Sequence, residues 1–303
     1  MARLFDAYIM VDWSAASKPT TGANSIWVGI LARDARLKLQ FQAVNPKTRL
    51  EARKLIDDLL TKLTGRGDRV LLGFDFSLGY PAGTAKALGL DTSKQPAWAA
   101  MHKHLAGKLK DKPDNSNARF AIAAGMNYAI SKGPFPFWGA PARDVVSTLG
   151  STRPDFDKGG LAEFREVERH LKTTGAGNPK SGWQLAYAGS VGSQSLTGIP
   201  HVHGIRNAFE SARIWPFEFE NGNLSEESLN EVSVVITEIY PSMIPVKPES
   251  GEILDAAQTR AIAHHYADLD AKNSLDGCFS TGKTLDDQKI LQIQSEEGWI
   301  LGA

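Results

Sequence analysis

Cysteine is almost missing from this chain of 303 residues: Cys278 stands alone, so no intrachain disulfide can form and a cysteine-based zinc centre has no basis. Nor does any apolar run approach the roughly 20 residues of a membrane span. Charge of one sign is not in excess either, with 34 Lys and Arg against 34 Asp and Glu. That balance argues against the broad basic footprint of a non-specific duplex-DNA binder, whose affinity comes mainly from neutralised phosphates. Internal repeats and low-complexity tracts are lacking too. The opening MARLFDAYIMVDWS has no apolar signal-peptide core and no small-residue cleavage site, so a cytoplasmic protein without a membrane partner is expected. The sequence carries no signal for an oligomeric state.

What is present is an ordinary globular composition, 42% hydrophobic and 22% charged. The length suits two modest domains, or one core with a large insertion. Residues 7–12 (AYIMVD) form a near-continuous apolar run ending in a charge, as a buried strand would. Residues 25–32 (SIWVGILA) and the alternating 37–44 (LKLQFQAV) read as two more strands of an antiparallel meander. Residues 48–64 predict a helix with Leu50, Leu55, Leu59 and Leu63 on one face and Thr48 with Glu51 as a capping box. Residues 69–76 (RVLLGFDF) give a fourth strand. Three strands, a helix and a strand are the opening order of a ribonuclease H-like fold. The expected class is therefore α/β, a ribonuclease H-like mixed sheet with flanking helices and a large insertion.

The chain then divides into three segments. Residues 1–83 carry the first part of the core, 84–230 an insertion, and 231–303 the second part. The insertion predicts helices near 96–110, 116–131 and 161–173, with long irregular Gly- and Trp-rich stretches at 133–141 and 187–206. The second part has a strand at 232–240 (VSVVITEIY), one or two helices over 255–280, and a short terminal strand or turn at 296–301 (EEGWIL).

Four acids stand at strand ends or on the late helical stretch: Asp12, Asp75, Glu238 and Asp276. Each alone reads equally as a turn former or a helix cap. Together, on the first, fourth and fifth strands and a C-terminal helix, they are expected to converge at one sheet edge. Clustered carboxylates repel and raise one another's pKa unless a cation relieves them, which makes Mg²⁺ or Mn²⁺ the expected cofactor and all four acids its expected catalytic ligands.

The motifs VDWSA (11–15), GFDFSLGYP (73–81), TEIYPS (237–242), NSLDGCFS (273–280) and EEGWIL (296–301) resemble, in order, those of an uncharacterised bacterial family of predicted ribonuclease H-like nucleases. FREVER (164–169) and GSVGSQSLTGIP (189–200) extend the resemblance into the insertion. It implies that Asp12, Asp75 and Glu238 are the motif acids and Asp276 the helical one. Asn273 stands where many relatives carry another Asp, and Asn is the poorer metal ligand.

Substrate-binding candidates complete the reading. The stretch AGSVGSQSLTG (188–198) offers backbone amides and hydroxyls for an anion nest through Ser190, Gly192, Ser193 and Gln194, although it also reads as a tight structural loop. Ser14 follows the first motif acid, and Arg169 could hold a phosphate or, more blandly, pair with neighbouring glutamates. His201 and His203 would share a face on a strand and could ligate metal, or be polar surface. Trp138, Trp183 and Trp215 could stack a base or pack the core. The function expected is a divalent-metal-dependent nuclease or phosphodiesterase acting on a short or single-stranded nucleic acid or a nucleotide. The alternatives are a phosphate-handling enzyme for a small nucleotide or cofactor, and a non-catalytic binding protein on the same scaffold.

Overall fold

The computed structural model describes residues 3–187, 190–282 and 285–303. Strands β1 (Ala7–Asp12), β2 (Trp27–Arg33), β3 (Leu39–Val44), β4 (Val70–Phe74), β5 (Ala212–Ile214) and β6 (Val234–Glu238) form one sheet in the order β3-β2-β1-β4-β6-β5. Its first half is the antiparallel meander β1–β2–β3, and its second half, β1–β4–β6–β5, is parallel. The architecture is thus α/β with a six-stranded mixed sheet. The apolar runs β4 and β6 are buried at every position, as strands covered on both faces must be, whereas the edge strand β3 alternates half-buried and exposed residues.

Strand alternation divides the core. Ile9, Val11, Leu72, Phe74 and Ile236 face one layer, which includes helices α1 (Arg49–Gly65) and α6 (Gly192–Ala208). Tyr8, Met10, Leu71, Val235 and Ile239 face the other, which holds α7 (Leu254–Ala271). Between them in sequence lie α2 (Thr84–Ala87), α3 (Ala97–Lys108), α4 (Arg119–Ser131) and α5 (Glu166–Thr174), and α8 (Asp287–Gln292) comes after α7. Among the described residues, no helix is long and apolar enough to cross a membrane.

Several local expectations shift. Thr48 caps α1 by accepting the Glu51 amide at 3.1 Å, but the Glu51 carboxylate turns back to the Lys47 amide, so only half the box forms. The buried face of α1 is Ala52, Ile56, Leu60 and Leu63, and Leu50 is 40% exposed. Two overlapping 3.6-residue stripes exist in this segment, and Leu55 and Leu59 only flank the one that meets the sheet. The stretch 187–206, read as irregular, contains α6 instead. That helix buries Ser193, Leu196, Gly198, Ile199, His201, Val202 and Ile205, so it is covered almost all round and shows no amphipathic period. Its Gly, Ser and internal Pro200 also speak against a helix locally. The late helical stretch breaks after Ala271, leaving Asp276 in a short 3₁₀ turn. β5 comes from the middle stretch and adds an edge strand beside β6. At the C-terminus, Ile300 bridges Glu238 in the parallel sense.

Two glycines set the layer spacing. A Cβ at Gly29 would lie 2.5 Å from Thr259 Oγ1 of α7, and one at Gly198 would lie 2.2 Å from the Phe76 ring. Alanine favours a helix over glycine by about 1 kcal/mol, yet Gly198→Ala must push α6 off an aromatic ring. The expected net result is a loss of about 1–3 kcal/mol, measured by urea unfolding. An unchanged or raised midpoint would show that α6 is not seated on Phe76.

Candidate functional site

Two acids meet at the C-terminal ends of adjacent parallel strands, and a third on α7 adds its charge. Val11 pairs with Phe74 across β1 and β4, so Asp12 and Asp75, each one residue further on, turn together to the α7 side. Their carboxyl groups hydrogen-bond to each other. The Trp13 amide donates to Asp75 Oδ1 at 2.7 Å, which favours charge on Asp75 and leaves the shared proton on Asp12. Burial pushes both pKa values up, and for Asp12 the charges of Asp75 and Asp255 push in the same direction. Asp255 belongs to the first turn of α7 and accepts the Asn24 amide at 2.6 Å. It was missed in the sequence because an acid in a helical first turn is ordinarily explained by the helix dipole.

Glu238 does not join them. It pairs with Phe74 in the β4–β6 register, which puts it on the face opposite Asp12 and Asp75. There it takes Arg165 in a bidentate pair at 2.7 and 2.8 Å and accepts the Leu78 amide at 3.2 Å. Arg165 also holds Glu168 at 2.9 Å and the Glu297 carbonyl at 2.9 Å, all of it buried. Burial opposes the Arg165 charge, but Glu168 and Glu238 outweigh it and raise its pKa. Glu238 is therefore a structural ion-pair partner rather than a metal ligand.

Asp276 is excluded by direction. The 18-residue α7 is about 27 Å long and starts beside Asp12. It ends where Asp270 receives the Leu4 and Phe5 amides, at the beginning of β1. The turn beyond α7, with exposed Asn273 and Asp276, lies at the wrong end of the sheet. Asn273 consequently has no bearing on metal loading at Asp12.

The substrate-binding candidates divide. α6 packs over the loop after Asp12: Gln194 Nε2 donates to the Trp13 carbonyl at 2.6 Å, and Trp13 Nε1 reaches Thr197 Oγ1 at 3.3 Å. The segment thus lies beside the acidic pair, but Gly192 to Gln194 form the first helical turn rather than a nest. The Gly192 amide is spent on the Gln184 carbonyl, Ser190 donates its amide to Tyr187, and Ser193 Oγ donates to the Leu185 carbonyl. Ala188 and Gly189 of the expected loop lie outside the described residues. Ser14 Oγ faces the Asn24 carbonyl and the Ala16 amide within the same loop. Arg169 is bound to Glu166 and the Phe164 carbonyl, the bland alternative. Because α6 is a helix, His201 and His203 diverge: His201 bonds to Asp111 at 3.0 Å and His203 to Asn207. Trp183 and Trp215 are fully buried packing residues.

As they stand, no three His, Cys, Asp or Glu side chains among the described residues form a ready-made metal site. The Asp12–Asp75 pair nonetheless fits a hard divalent cation, since Mg²⁺ commonly takes one or two carboxylates and completes its shell with water and phosphate. The donors are oxygen only, and burial raises the pKa of both, which favours a proton on the pair. Searches of family models, curated proteins and solved structures return no match to the chain.

The acid pair and the Arg165 cluster each have a measurable consequence. Carboxyl groups whose folded pKa is raised bind protons more tightly in the folded state, so their stabilisation is complete below the unfolded value of about 4 and is lost as pH rises. Stability should therefore fall from about pH 4 through neutrality, and Asp75→Asn should flatten that slope and raise the melting temperature at pH 7. A wild-type profile unchanged by Asp75→Asn would exclude a shared proton. Separately, Glu238→Ala removes the bidentate partner of Arg165, leaves it Glu168 and the Glu297 carbonyl, and should cost about 1.5–3 kcal/mol, read by chemical unfolding with or without Mn²⁺. A variant of normal stability that had lost only a Mn²⁺ response would return Glu238 to the metal site.

Proposed function

We propose that the chain is a divalent-metal-dependent phosphoester hydrolase, of nuclease or phosphodiesterase type, working at the Asp12–Asp75 edge. The observation that carries the reading is the half-buried acid pair at the ends of two adjacent parallel strands, with Asp255 adding a third negative charge. Such a pair is costly unless a cation replaces its proton. The strand order β3-β2-β1-β4-β6-β5, antiparallel then parallel, agrees with a ribonuclease H-like core, and so does the family resemblance of VDWSA and GFDFSLGYP.

Asp12 and Asp75 would hold the ion, with Asp255 contributing charge from α7. When bound, a divalent cation supplies positive charge to a reacting phosphoryl group. The chain's own residues do the positioning. Trp13 fixes Asp75 through its amide, Gln194 fixes the Trp13 carbonyl, and Asn24 fixes Asp255. The even charge balance favours a short or single-stranded nucleic acid, or a nucleotide, over long duplex.

The test is thermal melting with and without millimolar Mn²⁺, alongside cleavage of a short single-stranded oligonucleotide and of mononucleotides. Wild type should melt higher with Mn²⁺ by mass action. Asp75→Asn should respond far less and should lose turnover by at least about 100-fold, the loss of several kcal/mol of charge stabilisation. A wild-type melting curve indifferent to Mn²⁺ sinks the proposal.

A further inference from the structure

A buried cation lacks a counter-charge on the far side of the Trp13 loop. Arg119, the first residue of α4, is 8% exposed and takes part in no salt bridge among the described residues. Its three hydrogen-bonding partners are neutral: Nε donates to Ser193 Oγ at 3.1 Å, Nη2 to Ser17 Oγ at 3.0 Å and Nη1 to Asn117 Oδ1 at 3.3 Å. The nearest acids are already committed. Asp111 holds Arg49 through two bonds and also takes His201, while Asp144 pairs with Arg143. Burial, followed by the charge of Arg49, disfavours the charged form of Arg119. A guanidinium cannot relieve this by losing its proton at neutral pH. Two further sources of positive potential converge here. Arg119 opens the 13-residue α4, whose first amide is accepted by Asn117 Oδ1, and Ser193 sits in the first turn of the 17-residue α6.

We infer that Arg119 and Ser17, with Ser193 holding the guanidinium in place from the inner side, form a binding site for a phosphoryl group of the substrate. The donors are an unneutralised guanidinium and the exposed Ser17 hydroxyl, and the nearest acids, Asp111 and Asp144, are already paired with other cations. Ser17 is exposed, so the Nη2 side of the guanidinium opens toward solvent, whereas Ser193 is buried and fixes the inner side. The site is physically joined to the acid pair. Ser193 adjoins Gln194, which holds the Trp13 carbonyl, and the Trp13 amide holds Asp75. A phosphoester seated on Arg119 is therefore held against the same loop whose Trp13 amide fixes Asp75. The inference rests on the phosphoester reading of that edge, but its test requires no metal.

The experiment is binding of inorganic phosphate, by calorimetry and by melting-temperature shift, against sodium chloride of equal ionic strength. It compares wild type, Asp75→Asn, Arg119→Gln, Arg119→Lys and Ser17→Ala, all without divalent metal. Wild type and Asp75→Asn should both bind phosphate and melt higher with it. Arg119→Gln should lose the shift, and Arg119→Lys should bind at least about tenfold more weakly because the planar fork is gone. Ser17→Ala removes an exposed hydroxyl, leaves folding intact and should weaken binding about three- to tenfold; it decides the matter if the Arg119 variants do not fold. Absence of phosphate binding by wild type, or undiminished binding by Arg119→Gln or Ser17→Ala, overturns the site. Neither result touches the Mn²⁺ response, so the two readings fail separately.

Discussion

The buried Arg165 guanidinium is the tie on which the arrangement around the sheet end depends. It reaches four parts of the chain: the end of β6 through Glu238, its own helix α5 through Glu168, the C-terminal segment through the Glu297 carbonyl and, through Glu238, the Leu78 amide. Around it, Glu297 receives the Ala82 and Glu166 amides, and Glu296 receives those of Gly83 and Ala85. Gly79 lets these strands of chain come so close that a Cβ there would lie 2.4 Å from the Glu296 and Glu297 carbonyl oxygens. Polar groups buried this densely are tolerable only when each has a partner, and removing one leaves the others uncompensated. Glu168 reflects the tension: burial raises its pKa even with Arg165 beside it, because two carboxylates face one cation.

Sheet polarity then decides which acids can act together. The residues after Val11 and Phe74 share a row and a face, so Asp12 and Asp75 are brought together by pairing alone. Glu238 is one residue out of phase, and a shift of one position along a strand is a change of face. It consequently meets Arg165 instead. α7 repeats the argument at the scale of a helix: its starting turn presents Asp255 to the pair, and its end ties Asp270 to Tyr8, Leu4 and Phe5.

The same polarity accounts for how much of the molecule was legible in the sequence. The five main strands and the helix after the meander were legible because apolar runs and period-2 alternation record burial directly. That Asp12 and Asp75 are neighbours could be foreseen, since both close strands of the same kind. The role of Glu238 could not, because its motif position looks the same whichever face it adopts, and only the register to Phe74 separates them. Asp276 misled through a helix that was read too long; α7 ends at Ala271, and direction carries the next residues away. α6 was hidden for the opposite reason. A helix buried on nearly every side has no polar stripe to reveal its period, and its glycines, which look like loop residues, serve close packing against Phe76 and the Gln184 carbonyl.

The loop from Trp13 to Ser17 lies between two charge imbalances of opposite sign. On one side burial raises the cost of ionising Asp12 and Asp75, and on the other Arg119 has hydroxyls where an acid would normally stand. The loop backbone links both groups, holding Asp75 through the Trp13 amide and Arg119 through the Ser17 hydroxyl. That backbone is held rigidly: Arg49 clasps the Ser14 and Ala16 carbonyls at 3.1 and 2.8 Å, and Gln194 clasps that of Trp13. Keeping unpaired charges of both signs apart costs stability, and folds seldom retain such conflict except at functional sites. A single positive or negative ligand would relieve only one side. A cation together with a phosphate relieves both, which is why the two imbalances argue more strongly together than either does alone.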